Sequence, residues 1–113
     1  MKDLLIKTLE EFGYDVALQG SMAEDEGYPE SFITFFTEDS TEQDFFDGIP
    51  RGVQWKYSVI FYTARPELIA TVPKEIYRRL KEVGFIPQGR GYDIPSDEPT
   101  HTGWVNEYLY LEH

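Results

Sequence analysis

The clearest periodic signal in the chain runs from Val53 to Thr63, where Val53, Trp55, Tyr57, Val59 and Phe61 alternate with Gln54, Lys56, Ser58, Ile60 and Tyr62. Successive side chains of a strand point to opposite faces. The alternation therefore predicts a central strand with one apolar, aromatic face on the core and a mixed second face. Ser31 to Thr37 is dense in β-branched and aromatic residues and reads as another strand. Tyr14 to Leu18 predicts a short one, with Val16 and Leu18 on one face, and Thr102 to Leu111 a long closing one.

Two segments carry the helical spacing instead. Over residues 2–12, Met1, Leu5, Thr8, Leu9 and Phe12 recur on one face, and Gly13 stands where a left-handed C-terminal residue is wanted. Arg65-Pro66 breaks the central strand. A second helix is predicted over about residues 73–83, with Ile76, Leu80 and Val83 inward, Tyr77 flanking, Lys74, Arg78 and Lys81 outward, and Gly84 as the stop. Phe85-Ile86 and Tyr92-Asp93-Ile94 flank Gln88-Gly89-Arg90-Gly91, which reads as a β-hairpin whose glycines supply positive φ.

The remaining stretches are polar. Residues 20–30 and 96–101 read as connections. Residues 38–52 are acidic and read as a long loop, or as a loop with one helical turn around Thr41 to Phe46 capped by Asp39 or Ser40. The predicted order is α-β-β-β-α-β-β, without repeats. The expected fold is α+β: one mixed or largely antiparallel sheet of about five strands with two helices packed on one face. Residues 1–110 form one domain on this reading. Leu111-Glu112-His113 matches the start of an expression tag, which leaves His101 as the histidine that counts.

Composition sharpens this outline. A chain of 113 residues with 41% hydrophobic and 16% aromatic residues supports a single core. There is no cysteine, so disulfides and thiolate metal sites are excluded. No signal peptide or membrane-spanning stretch is visible, and a cytoplasmic location is expected. Net charge is −11 and unevenly spread: no Lys or Arg lies between Thr8 and Pro50, a stretch with twelve Asp and Glu, whereas Lys74, Arg78, Arg79 and Lys81 are clustered. That balance argues against ordinary nucleic-acid binding, because phosphates would be repelled.

Candidate chemistry is sparse. Ser96 or Ser58 with His101 and Asp97 lacks the surroundings of an activated nucleophile. Asp97, Glu98 and His101 lie within five residues, but Pro99 stiffens the segment and no further ligand stands at a familiar spacing; a capped turn explains it better. Gly89-Arg90-Gly91 lacks the Lys-Ser/Thr ending of a phosphate loop. No catalytic set, metal or cofactor is therefore expected. Protein contact is: Trp104, Tyr108 and Tyr110 add aromatic surface suited to interfaces, as do Phe45 and Phe46 within the acidic Asp39, Glu42, Asp44 and Asp47, and the turn with Asp97, Glu98 and His101.

Several runs resemble small prophage proteins of Gram-positive bacteria. They are Tyr28-Pro29-Glu30-Ser31-Phe32-Ile33-Thr34, Trp55-Lys56-Tyr57-Ser58-Val59-Ile60-Phe61-Tyr62, Gly84-Phe85-Ile86-Pro87-Gln88-Gly89-Arg90-Gly91-Tyr92-Asp93 and Ser96-Asp97-Glu98-Pro99-Thr100-His101-Thr102-Gly103. Such proteins are similar to the minor structural proteins of the tail terminator or tail completion class. The resemblance implies a homo-oligomeric ring that caps the tail tube and joins it to the head connector, with DNA passing through its lumen. It implies tube and connector proteins as partners, assembly in the host cytoplasm, a final place in the virion tail, and no catalytic residue. An acidic module that imitates nucleic acid and inhibits a host protein is the alternative that charge suggests.

Overall fold

In the computed structural model, residues 2–18, 29–44, 50–95 and 100–112 are described; of residues 39, 41–44, 50 and 51 only the backbone is. The elements are α1 (Lys2–Glu10), β1 (Asp15–Leu18), β2 (Ser31–Asp44), β3 (Pro50–Thr63), a 3₁₀ turn (Pro66–Ala70), α2 (Val72–Glu82), β4 (Ile86–Pro95) and β5 (Thr102–Glu112). The strands form one sheet in the order β1-β2-β3-β5-β4. Only β1 and β2 pair in parallel; β2–β3, β3–β5 and β4–β5 are antiparallel. β4 therefore runs parallel to β3, with β5 slotted between them. The chain is α+β with a mixed five-stranded sheet.

Both helices bury their apolar stripes against the same face. Leu5 and Leu9 of α1 and Val72, Ile76 and Leu80 of α2 join Ile33, Phe35, Tyr57, Val59, Phe61, Phe85 and Tyr108 in one cluster. Inside it Tyr14 packs on Phe61 at 5.3 Å and Tyr110 on Phe85 at 4.8 Å. Thr8 sits in the α1 stripe without cost, because its hydroxyl donates to the Leu4 carbonyl at 2.8 Å. Gly13 ends this corner at φ 83°. Arg79 donates to both carboxylate oxygens of Glu11, at 2.9 and 3.2 Å, and so ties α2 to the end of α1.

The second face of the sheet is also buried. Phe32, Thr34, Ser58, Ile60 and Val105 are each no more than 6% exposed. Phe32 stacks on Tyr62 at 5.1 Å and meets the His101 ring at 5.8 Å. Further along this face Lys56 sits between Glu107 at 3.1 Å and Glu38 at 3.4 Å, a pairing that raises the ammonium pKa, Glu107 contributing most.

Two expectations are overturned. β2 does not stop at Thr37: its ladder with β3 continues to Asp44↔Pro50, so residues 38–44 are strand rather than loop or the start of a helical turn with Asp39 or Ser40 as cap. Residues 45–49, the rest of that expected loop or turn, lie outside the described residues. A bulge at Thr37/Asp39 accommodates the extra residue. Pairing against an already specified β3 outweighs the local preference of Asp and Glu for caps and turns.

Nor are residues 85–94 a hairpin. They form a single edge strand, paired as Gln88↔Glu107 and Tyr92↔Val105, with Gly89, Arg90 and Gly91 bulged opposite Asn106. The positive φ values that signal a turn are present, at 85° for Gly89 and 87° for Gly91, but serve the bulge. Asn106 Nδ2 donates to the Gly89 carbonyl at 3.3 Å and Trp104 Nε1 to the Arg90 carbonyl at 3.2 Å. These side chains satisfy carbonyls that the distorted ladder leaves unpaired.

The two bulge glycines differ in one testable way. A Cβ on Gly91 would strike the Trp104 ring and stand 2.5 Å from the Val105 carbonyl oxygen, whereas one on Gly89 would meet nothing within 4 Å. Gly89→Ala should lower stability in urea unfolding by about 1 kcal/mol, the cost of positive φ alone. Gly91→Ala should cost about 2–4 kcal/mol because overpacking is added. Equal losses would show that the bulge is not packed as described.

Candidate binding groove

A groove of about 580 Å³ opens on the helical side of the sheet, between α2 and the β4 bulge. The 3₁₀ turn contributes Pro66, Ile69 and Ala70, and the first turns of α2 contribute Pro73, Lys74 and Tyr77. Arg90 and Asp93 come from β4, and Trp104 from β5. Local sequence explains each placement. Pro66 stops β3 and opens the 3₁₀ turn, Pro73 starts α2, and the bulge carries Arg90 out of the regular ladder beside Trp104. Lys74 and Tyr77, three residues apart, share a helix face.

The groove has a distinct electrostatic character. Among the described residues, Arg65, Arg79 and Lys56 are held in ion pairs within the chain, while Lys74 and Arg90 are not. Asp93 is the carboxylate in the lining, so the two cations leave it net positive. Thr71, the N-cap of α2, makes no side-chain capping bond, its hydroxyl instead meeting the Leu68 carbonyl at 3.4 Å. The positive end of the helix dipole thus adds to Lys74. In a chain of net charge −11 this is a locally cationic, aromatic cleft of the size that takes a ligand or a side-chain cluster.

Of the residues singled out from sequence, Trp104 alone lines this groove. Tyr108 does not reach a surface: it is 1% exposed, in the core, and burial pushes its phenol far above the ordinary range. Its inclusion among interface residues is corrected, because β5 turns it, with Trp104, Asn106 and Tyr110, towards the helices. Tyr110 is half-buried against Phe85. His101 is a structural residue: its Nε2–H donates to the Pro29 carbonyl at 2.8 Å and its Nδ1 lies 3.0 Å from the Thr100 hydroxyl, fastening the start of β5 to the start of β2.

Asp39, Glu42 and Asp44 lie on β2, which projects towards the β2–β3 connection. Phe45, Phe46, Asp47, Asp97 and Glu98 lie outside the described residues. Leu111 and Glu112, read above as tag, continue β5 opposite Gln54 and Val53, and Trp55 Nε1 donates to Glu112 Oε1 at 3.2 Å. Sequence reasoning missed Lys74, Tyr77 and Arg90 as one site. The available signal was a pair of cations, one in the first turn of a helix and one between two glycines.

Among the described residues no cluster of His, Asp and Glu could hold a metal, and no helix is long and apolar enough to cross a membrane. No family model matches the chain, and no curated protein is significantly similar to it in sequence.

The buried phenols set a pH dependence. Burial, with the charge of Glu112 added, pushes Tyr57 up to about 12. In the unfolded chain the same group ionises near pH 10, about its reference value. A raised folded pKa means that the contribution is complete below pH ~10 and is lost as pH climbs through about 12, because only the unfolded chain releases the proton in that window. Tyr108 extends the loss further. Urea midpoints should therefore fall steeply above pH ~10 in the wild type and less steeply in Tyr57→Phe/Tyr108→Phe. Parallel curves would show that neither phenol is buried as described.

Proposed function

We propose that this chain is a structural subunit of a phage or prophage tail, of the terminator or completion class, which assembles with copies of itself into a ring at the head–tail junction. The observation that carries the reading is the polar build of the subunit. The β2–β3 ladder, acidic in β2, runs to one end of the sheet as an arm whose last pairs, Gln43↔Gly52 and Asp44↔Pro50, extend past β5. A net-positive aromatic groove lies some distance away. A subunit with two different surfaces of opposite charge is suited to head-to-tail contact, which closes into a ring when the rotation permits.

Three further features support it. The segments quoted above resemble that class, and two of them form the central strand and the β4 bulge. The histidine that offered the best catalytic candidate is committed to holding β2 and β5 together. The long dimension of the subunit, 53 Å against 28 and 22 Å, suits an element that spans a ring wall and contacts tube on one side and connector on the other.

Deleting the gene from a phage that carries it is the direct test. Electron microscopy of the lysate should then show filled heads and separate tails, and infectivity should return when the chain is supplied in trans. A deletion strain that yields joined particles at the normal titre would sink the reading.

A further inference from the structure

The subunit's acidic β2–β3 end and this cationic groove cannot meet within a single copy. The last described pair of the arm is Asp44↔Pro50, and Trp104 in the groove pairs with Phe61, eleven residues further along β3. At about 3.3 Å per residue the two lie about 36 Å apart along the strands. The connection between β2 and β3 reads Asp44-Phe45-Phe46-Asp47-Gly48-Ile49: two aromatic side chains bracketed by carboxylates. The groove offers the complement, with Ile69, Tyr77 and Trp104 as apolar and aromatic wall and Lys74 and Arg90 as cations free of ion pairs among the described residues.

We propose that the 44–49 segment of one copy docks in this groove of a second copy, its phenylalanines against Tyr77 and Trp104 and its carboxylates beside Lys74 and Arg90. The inference rests on the assembly reading above and names the contact that would build the ring. A volume of about 580 Å³ accommodates two aromatic side chains. Arg and Trp in the receiving surface, with Phe in the incoming one, are the residue types that dominate binding energy at protein interfaces. Asp93, also in the lining, disfavours a carboxylate placed beside it, so the incoming carboxylates seat nearer Lys74 and Arg90. Each copy donates one segment and accepts one, so the contact propagates head to tail unless two copies exchange segments reciprocally, in which case assembly stops at a two-fold dimer.

The test uses the full chain and two double variants, Phe45→Ala/Phe46→Ala in the segment and Lys74→Glu/Arg90→Glu in the groove. Sedimentation from about 1 μM to about 1 mM spans the affinities expected of one such contact. The wild type should associate with concentration, and each variant should associate at least about tenfold more weakly. An equimolar mixture of the two variants keeps one intact segment and one intact groove, and should stop at a 1:1 dimer. A synthetic Gln43-Asp44-Phe45-Phe46-Asp47-Gly48-Ile49 peptide in excess should dissociate the wild type, a readout that does not depend on either variant folding.

A chain that stays monomeric throughout overturns the docking, as does association that the peptide and both variants leave intact. Intact association would leave the ring reading standing on other contacts. Docking as described, with head–tail joining unaffected by gene deletion, would sink the phage reading and keep the contact.

Discussion

Eleven consecutive residue pairs join β3 to β5, from Val53↔Glu112 to Thr63↔Thr102, without a bulge. On the other side of β3 the ladder with β2 is regular from Ser31↔Thr63 to Thr37↔Tyr57. A strand paired on both sides and buried on both faces has one permitted register, because a slip of one residue would exchange its two sets of side chains. Here the slip would replace Tyr57, Val59 and Phe61 under the helices with Ser58, Ile60 and Tyr62. The packing of α1 and α2, the burial of Tyr108 and the position of Trp104 beside the bulge all follow from that register.

The irregularities are arranged around this regular centre, and they make the surfaces. The β3–β5 ladder carries the fixed parity, and departures fall outside it. The extra residue is Glu38 of β2 at Thr37/Asp39, Arg51 of β3 beyond the end of β5 at Gln43/Asp44, and the 89–91 stretch of β4 at Gln88/Tyr92. In β4 the two extra residues push Arg90 out beside α2, and the carbonyls this frees are recaptured by side chains of β5, Asn106 and Trp104. Trp104 thus has two jobs with one geometry: its indole N–H holds the bulge, while its ring lines the groove that the bulge creates. Gly91 is the steric condition for both, since any side chain there would occupy the space of the indole.

What was legible in the sequence divides along the same line. The alternation in 53–63 and the helical stripes of Leu5/Leu9 and Ile76/Leu80 are repeated signals, each position reporting the same face, and the elements and their packing side followed from them. The 38–44 segment was misread because its composition describes local preference, whereas its conformation comes from β3, already specified by its own pattern. Residues 85–94 were misread for a different reason. Glycine at positive φ belongs to turns and to bulges alike, and what distinguishes them is whether the flanking strands pair with each other or with a third. That is a non-local fact. The groove was invisible for the same reason, being assembled from four elements none of which carries a motif.

The charge distribution is where fold and proposed function constrain each other most tightly. A net charge of −11 would oppose close approach of identical subunits if it were evenly spread. Ion pairs within the subunit consume Lys56, Arg65 and Arg79, so the fold uses up cations that might have offset it. Lys74 and Arg90 face the groove from α2 and β4 and, like Lys2, Lys7, Arg78 and Lys81, stay outside these pairs among the described residues. Residues 10–47, by contrast, hold twelve acids and no Lys or Arg. Such a division makes like-with-like contact unfavourable and contact between the acidic segment and the groove favourable, whether copies meet head to tail or exchange that contact reciprocally. In the proposed contact the aromatic residues would supply the binding energy, and repulsion between the remaining acidic surfaces would limit it to that one patch.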